Sequence, residues 1–196
     1  MIGLSTAAVY ILQTIGSLYL LIVLLRFILQ LVKADFYNPL SQFIVRATHP
    51  LLKPLRKVIP SFAGLDIASL VLAILVQLVL MALVLLLMGH GVGDPLLLLV
   101  WSIIGVTALF LKVFFFALII SVILSWVAQG SRNPAAELVS QICEPLLAPI
   151  RRVLPGMGGL DLSPIVAFLI LNLIDMLVIR NLAVMAGMFK GLSLAI

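Results

Sequence analysis

HPLLKPLRKVIPSFAGLDIAS (His49–Ser69) and EPLLAPIRRVLPGMGGLDLSP (Glu144–Pro164) are two versions of one string. A shift of 95 residues lays the second on the first without a gap, and 12 of the 29 positions from Asn38 to Asp66 are identical. The register runs on into the flanking segments, where Gln77 falls on Asn172. An internal duplication at a fixed period sets the architecture before any single element is considered.

On either side of each copy lies an apolar run. Four such runs, at about 4–32, 67–88, 96–128 and 164–187, reach the roughly 20 residues needed to cross a hydrocarbon core. The first and third exceed that length and must tilt or extend past the interface. None alternates polar and apolar residues as a membrane β-strand does. The 196-residue chain is 64% hydrophobic and only 10% charged, against about 25% charged for a soluble domain. A water-soluble surface cannot be covered with that composition. The expected fold is an all-α membrane protein of four transmembrane helices in two parallel tandem repeats, each a helix, a loop carrying a broken interfacial helix, and a second helix. The first repeat is 1–90 with its basic loop at 33–66. The second is 91–196 with its loop at 129–163. The opening MIGLSTAAVY lacks a basic n-region, so the first run is expected to be a retained helix and not a cleaved signal.

Each unit crosses the membrane twice, so both units insert with the same orientation, unlike the inverted repeats of many transporters. Both long loops then share one side. They carry Lys33, Arg46, Lys53, Arg56, Lys57, Arg132, Arg151 and Arg152, whereas the other side offers Lys190. The positive-inside rule makes the loops cytoplasmic and sends both termini to the opposite side. In a bacterium that membrane is the inner one.

Within each loop, Asn38-Pro39 and Asn133-Pro134 open a short amphipathic helix as cap and first-turn residue. Pro50 and Pro54, and Pro145 and Pro149, are expected to interrupt it, because proline lacks a donor and crowds the preceding turn. Pro60, Gly64, Pro155 and Gly159 turn the chain. Asp66 and Asp161 cap the following spans, with Pro164 near the start of the last, and an ion pair to Arg56 or Arg151 is their other role. Arg56, Lys57, Arg151 and Arg152 have two readings. They anchor and orient the loops at the lipid surface, or they form a docking surface for acidic headgroups or for a membrane or cytoplasmic protein partner, at about 1 kcal/mol per basic residue near an anionic leaflet.

Polar and ionisable residues inside spans face the bundle and pair. Lys112 in the third run, and Asn172, Asp175 and Arg180 in the fourth, form such a set. At about 1.5 Å of rise per residue, Lys112 and Asp175 reach similar depths and are expected to pair. Asp175 and Arg180, five apart, suit an α-helix less well. The set either fixes helix packing or lines an ion path.

Catalytic and cofactor signatures are absent from the sequence. There is no P-loop, HExxH, GxSxG or CxxCH, the two histidines lie outside the runs, and Cys143 is the only cysteine. No catalytic, cofactor or metal site is expected. The loops are too short and too poor in aromatics for nucleic acid.

Glu144–Leu171 resembles the signature of the YggT family, which includes the YlmG proteins. The family pattern runs Pro-x-x-x-Pro-Ile-Arg-Arg, then Pro, a Gly turn, and Leu-Asp-x-Ser-Pro into a helix. Pro145, Pro149, Ile150, Arg151, Arg152, Pro155, Gly159, Leu160, Asp161, Ser163 and Pro164 match it. The first copy matches at Pro50, Pro54, Arg56, Lys57, Pro60, Gly64, Leu65 and Asp66 and departs at Leu55, Ala68 and Ser69, as a more diverged copy. The resemblance implies association with cell or plastid division and nucleoid distribution, with haem attachment to a b-type cytochrome in a chloroplast relative, or with osmotic stress and potassium uptake. It carries over no catalytic residue. The function expected is a non-enzymatic membrane organising or assembly factor. The alternative is a component of potassium uptake or osmotic response acting as an oligomer.

Overall fold

The computed structural model describes residues 2–60, 64–127, 133–154 and 161–188. Four helices are long and apolar enough to span a membrane, and no strand occurs among the described residues. The chain is a multi-pass membrane protein. Its long helices are α1 (Ile2–Leu31), α3 (Ile67–Leu87), α4 (Pro95–Val127) and a last span. That span is built from α6 (Ser163–Ile174), a π-helical turn (Asp175–Ile179) and α7 (Arg180–Met185). These helices are apolar all round, as lipid-facing helices must be. They follow the expected runs to within about two residues.

The loop helices are α2 (Pro39–Val58) and α5 (Pro134–Val153). Asn38 caps α2 by accepting from Leu40 N at 3.0 Å, and Asn133 caps α5 by accepting from Ala135 N at 2.9 Å. The expected breaks at Pro50, Pro54, Pro145 and Pro149 do not occur: both helices run through them. All four prolines sit on exposed positions. There the carbonyl left without its donor faces away from the core, and the bend from the ring clash has room.

In α2, 3.6 residues per turn separates three faces. Ser41, Ile44, Thr48 and Leu52 are buried against the bundle. Leu40, Phe43, Leu51 and Val58 form an exposed apolar face. Arg46, Lys53 and Lys57 form an exposed basic face. A helix with one face each for protein, acyl chain and water lies in a membrane interface.

The α1 and α3 helices pack closely, and α3 also packs against α4, which joins the repeats; α5 fills the angle between α4 and α6. At the α1–α3 crossing a Cβ on Gly16 would meet Leu80 Cδ2 at 2.2 Å, so the Leu80 side chain packs directly on the glycine and would have to move aside for any larger residue. The loop helices are tied across the repeats. Asn38 Nδ2 donates to Pro134 O at 2.7 Å, and Asp35 N donates to Gln141 Oε1 at 2.9 Å. The α3–α4 turn uses left-handed Gly89 and Gly93 at φ +77° and +68°.

Candidate functional site

The two copies of the loop motif make the same covalent pattern and different sites. In the first repeat, Asp66 caps α3, accepting from Ser69 N at 3.3 Å. Its Oδ2 also accepts from Ser69 Oγ and from Arg56 Nη2. A second arginine approaches the same oxygen: Arg26 Nε lies 3.7 Å from it. Arg26 is only 8% exposed and Asp66 only 3%. The rest of the Arg26 fork is held by α2, with Nη1 donating to Val45 O and Thr48 Oγ1, each at 3.1 Å. Burial works against the Asp66 carboxylate. The hydrogen bonds from Arg56 and Ser69 outweigh it and hold the pKa below the ordinary aspartate value.

Arg26 was not singled out from the sequence. Its signal was a lone arginine near the loop end of an otherwise apolar run, a residue that must find a partner.

In the second repeat the Arg26 position is Ser121. Among the described residues Arg151 is the one cation paired with Asp161, donating from Nε to Oδ2 at 3.0 Å and from Nη1 to Glu144 Oε2 at 2.9 Å. These side chains are roughly half exposed, at 43%, 46% and 55%. Burial works against the Asp161 carboxylate, but together the hydrogen bonds from Ser163 and Arg151 and the charge of Arg151 keep its pKa below the ordinary value. The partner of Ser121 is Cys143, which occupies the position of Thr48. Burial pushes that thiol up to about 11.

Beside the Arg26–Asp66–Arg56 cluster, between α1, α2 and the start of α3, a cavity of about 820 Å³ opens. Lys33 stands at its rim, where the chain leaves α1 through a left-handed residue (φ +54°) closed by Ala34 N donating to Leu29 O at 2.8 Å. Ser41 lines the wall with a buried hydroxyl that has no hydrogen-bond partner, and Arg26 Nε is likewise without one.

The remaining candidates fall as follows. Lys57 and Arg152 are exposed and, among the described residues, outside any ion pair. Pro60 and Gly64 border the cavity, with Gly64 left-handed at φ +80° and its carbonyl accepting from Gln30 Nε2 at 3.2 Å. Pro155 and Gly159 lie outside the described residues. Pro164 occupies the first turn of α6.

The expected Lys112–Asp175 pair is not formed. Arg180 takes the carboxylate, its Nε donating to Asp175 Oδ2 at 2.9 Å. The five-residue spacing is accommodated by the π turn, in which Arg180 N also bonds Asp175 O. No carboxylate lies within ion-pair distance of Lys112 among the described residues. Asn172 Nδ2 returns to Phe168 O at 2.9 Å, while Gln77 is buried against Gly105 with both amide atoms unpartnered.

The sequence matches the CCB3/YggT family twice, over residues 5–87 and 100–182, and each bound of the second match lies 95 residues after its counterpart in the first. An uncharacterized protein of Pseudomonas aeruginosa is 76% identical over 195 residues, covering 99% of both chains. The uncharacterized protein YggT of Escherichia coli K12 is 39% identical over 188 residues, covering 95% of this chain and 97% of that one. A chloroplast protein of Arabidopsis thaliana, YlmG homolog protein 2, is 42% identical over 64 residues, 32% of this chain and 25% of its own. No solved structure matches the chain.

Proposed function

The chain belongs to the CCB3/YggT family, and from that premise we propose that it is a non-enzymatic organising or assembly factor of the bacterial inner membrane. Its long loops face the cytoplasm, both termini lie opposite, and its basic loop helices dock acidic headgroups or a protein partner. The observation that carries this reading is the three-faced α2, tied to its counterpart α5. One face grips the bundle, one suits acyl chains, and a separate face holds Arg46, Lys53 and Lys57 in the open. Four helices hold the platform in the bilayer, and no chemistry need be assigned to them. Lys57 and Arg152 are the residues to reverse, because Arg56 and Arg151 are already engaged by Asp66 and Asp161. In a deletion strain scored for cell length, nucleoid spacing and osmotic survival, wild type is expected to restore the deletion phenotype. Lys57→Glu with Arg152→Glu is expected to insert equally and not restore it. Full restoration by the double variant contradicts the reading.

The Asp175–Arg180 pair and Lys112, ionisable groups within two spans, favour a second reading: an oligomeric component of potassium uptake or osmotic response. It requires potassium flux in proteoliposomes that Lys112→Leu with Asp175→Asn removes.

A further inference from the structure

We infer that the cavity of the first repeat is a phosphate site for an acidic phospholipid headgroup. Three cations face it, Arg26, Lys33 and Arg56, against one carboxylate, Asp66. The formal surplus of two positive charges suits a phosphate oxyanion, and arginine forks match its geometry. In the wall Ser41 Oγ has no hydrogen-bond partner, and Arg26 Nε, at 3.7 Å, is too far from Asp66 for more than an ion pair, a costly arrangement unless something accepts from them. The remaining wall is apolar, with Leu29, Phe36 and Ile44, as suits the glycerol and first methylenes of a lipid. Its volume, about 820 Å³, falls within the range of roughly 300–1,000 Å³ typical of ligand pockets. It lies at the loop end of α1, level with the interfacial helix α2, where headgroups are.

The second repeat is the built-in control: the counterparts of Arg26, Lys33 and Ser41 are Ser121, Ala128 and Ala136. One headgroup per chain is therefore expected, not two.

The inference rests on reading the basic loops as a docking surface, yet it fails separately, since its variants differ from Lys57 and Arg152. Native mass spectrometry of the purified protein with phosphatidylglycerol or phosphatidylcholine reads it out. Wild type is expected to retain one phosphatidylglycerol, and Lys33→Asn to weaken it about tenfold. Asn accepts the left-handed backbone at that position, so folding is preserved. Arg26→Gln is expected to abolish retention. Competition by inorganic phosphate that Lys33→Asn also weakens assigns the same site to free anions. Equal retention of the two lipids, or of phosphatidylglycerol by wild type and Lys33→Asn, overturns the proposal.

A separate observation concerns the last span. Its lipid-facing side carries Asn172, Met176 and Arg180, with Met176 56% exposed and the Arg180 side chain 62%. Their counterparts in the first repeat, Gln77, Met81 and Leu85, are 0%, 0% and 6% exposed because α4 covers them with Leu98, Trp101 and Gly105. The counterpart of α4 is α1, and its matching positions, Thr6 and Tyr10, are themselves exposed, Tyr10 at 70%. The geometry points to head-to-tail association in which α1 of a second copy covers this face as α4 covers α3. Asn172 then meets the partner's Tyr10, as Gln77 meets Gly105. Polar groups that face lipid in one chain become buried between two. In a Cys143→Ser background, chains bearing only Tyr10→Cys and chains bearing only Asn172→Cys are mixed in membranes and oxidised. A mixed disulfide dimer is expected. Its absence, or a dimer formed by Asn172→Cys alone, overturns the arrangement.

Discussion

Asp66 and Asp161 are the same residue in two copies of one motif, and their surroundings give them different weights. Asp66 caps α3, whereas Asp161, expected to cap the last span, only accepts from Ser163 N and leaves α6 without a side-chain cap; Asn at either position keeps that backbone-bonded oxygen and removes the charge together with the Oδ2 acceptor. Asp66→Asn leaves Arg26 buried without its carboxylate, which typically costs about 3–5 kcal/mol. Asp161→Asn loosens pairs that are nearly half in solvent, worth under about 1 kcal/mol. Thermal unfolding in detergent is expected to show a large drop for the first and a small one for the second. Because the folded pKa of Asp66 is depressed, its stabilisation is complete above the unfolded value near about 4 and is lost as pH falls through the lower folded value. The gap between wild type and Asp66→Asn therefore narrows in acid. Cys143 makes a second residue-level prediction. With its thiol pushed up to about 11 by burial, hardly any thiolate exists at pH 8, and maleimide labelling of the folded protein is expected to be at least about 100-fold slower than after denaturation.

Among the elements, the spans and the starts of the loop helices were legible because their signals are local: length of apolar run and Asn-Pro caps. The effect of the loop prolines is not local, because it depends on which face they occupy, and only the folded helix shows that all four point outward. The π turn was illegible for the opposite reason. Five-residue spacing argues against an Asp175–Arg180 pair in an α-helix, and the helix changes its own period to make it. That pairing predicts a double-mutant cycle. Asp175→Leu and Arg180→Leu each leave a lone charge in the span, at about 2.5–3.5 kcal/mol on insertion scales, whereas the double substitution leaves none. Membrane yield and thermal midpoint are expected to fall in each single variant and recover in the double. Recovery absent from the double variant breaks the account of this turn.

Across the whole molecule, duplication was readable from a fixed offset of 95 residues, the offset the two family matches also share. The structural asymmetry between the copies was not, because it hangs on Arg26 against Ser121, outside the repeated motif and inside a span. The first copy departs more from the family pattern, yet it holds the buried charge cluster and the cavity. Everything proposed for the protein presupposes that both loops lie on one face of the membrane, facing the cytoplasm, with the α3–α4 turn on the other. Substituted-cysteine labelling in spheroplasts tests that most directly, using Lys57→Cys, Arg152→Cys and Gly91→Cys separately in a Cys143→Ser background with an impermeant maleimide. The account predicts labelling of Gly91→Cys from outside, and of Lys57→Cys and Arg152→Cys only after the membrane is opened. Labelling of Lys57→Cys and Arg152→Cys from opposite sides would contradict the parallel repeat itself.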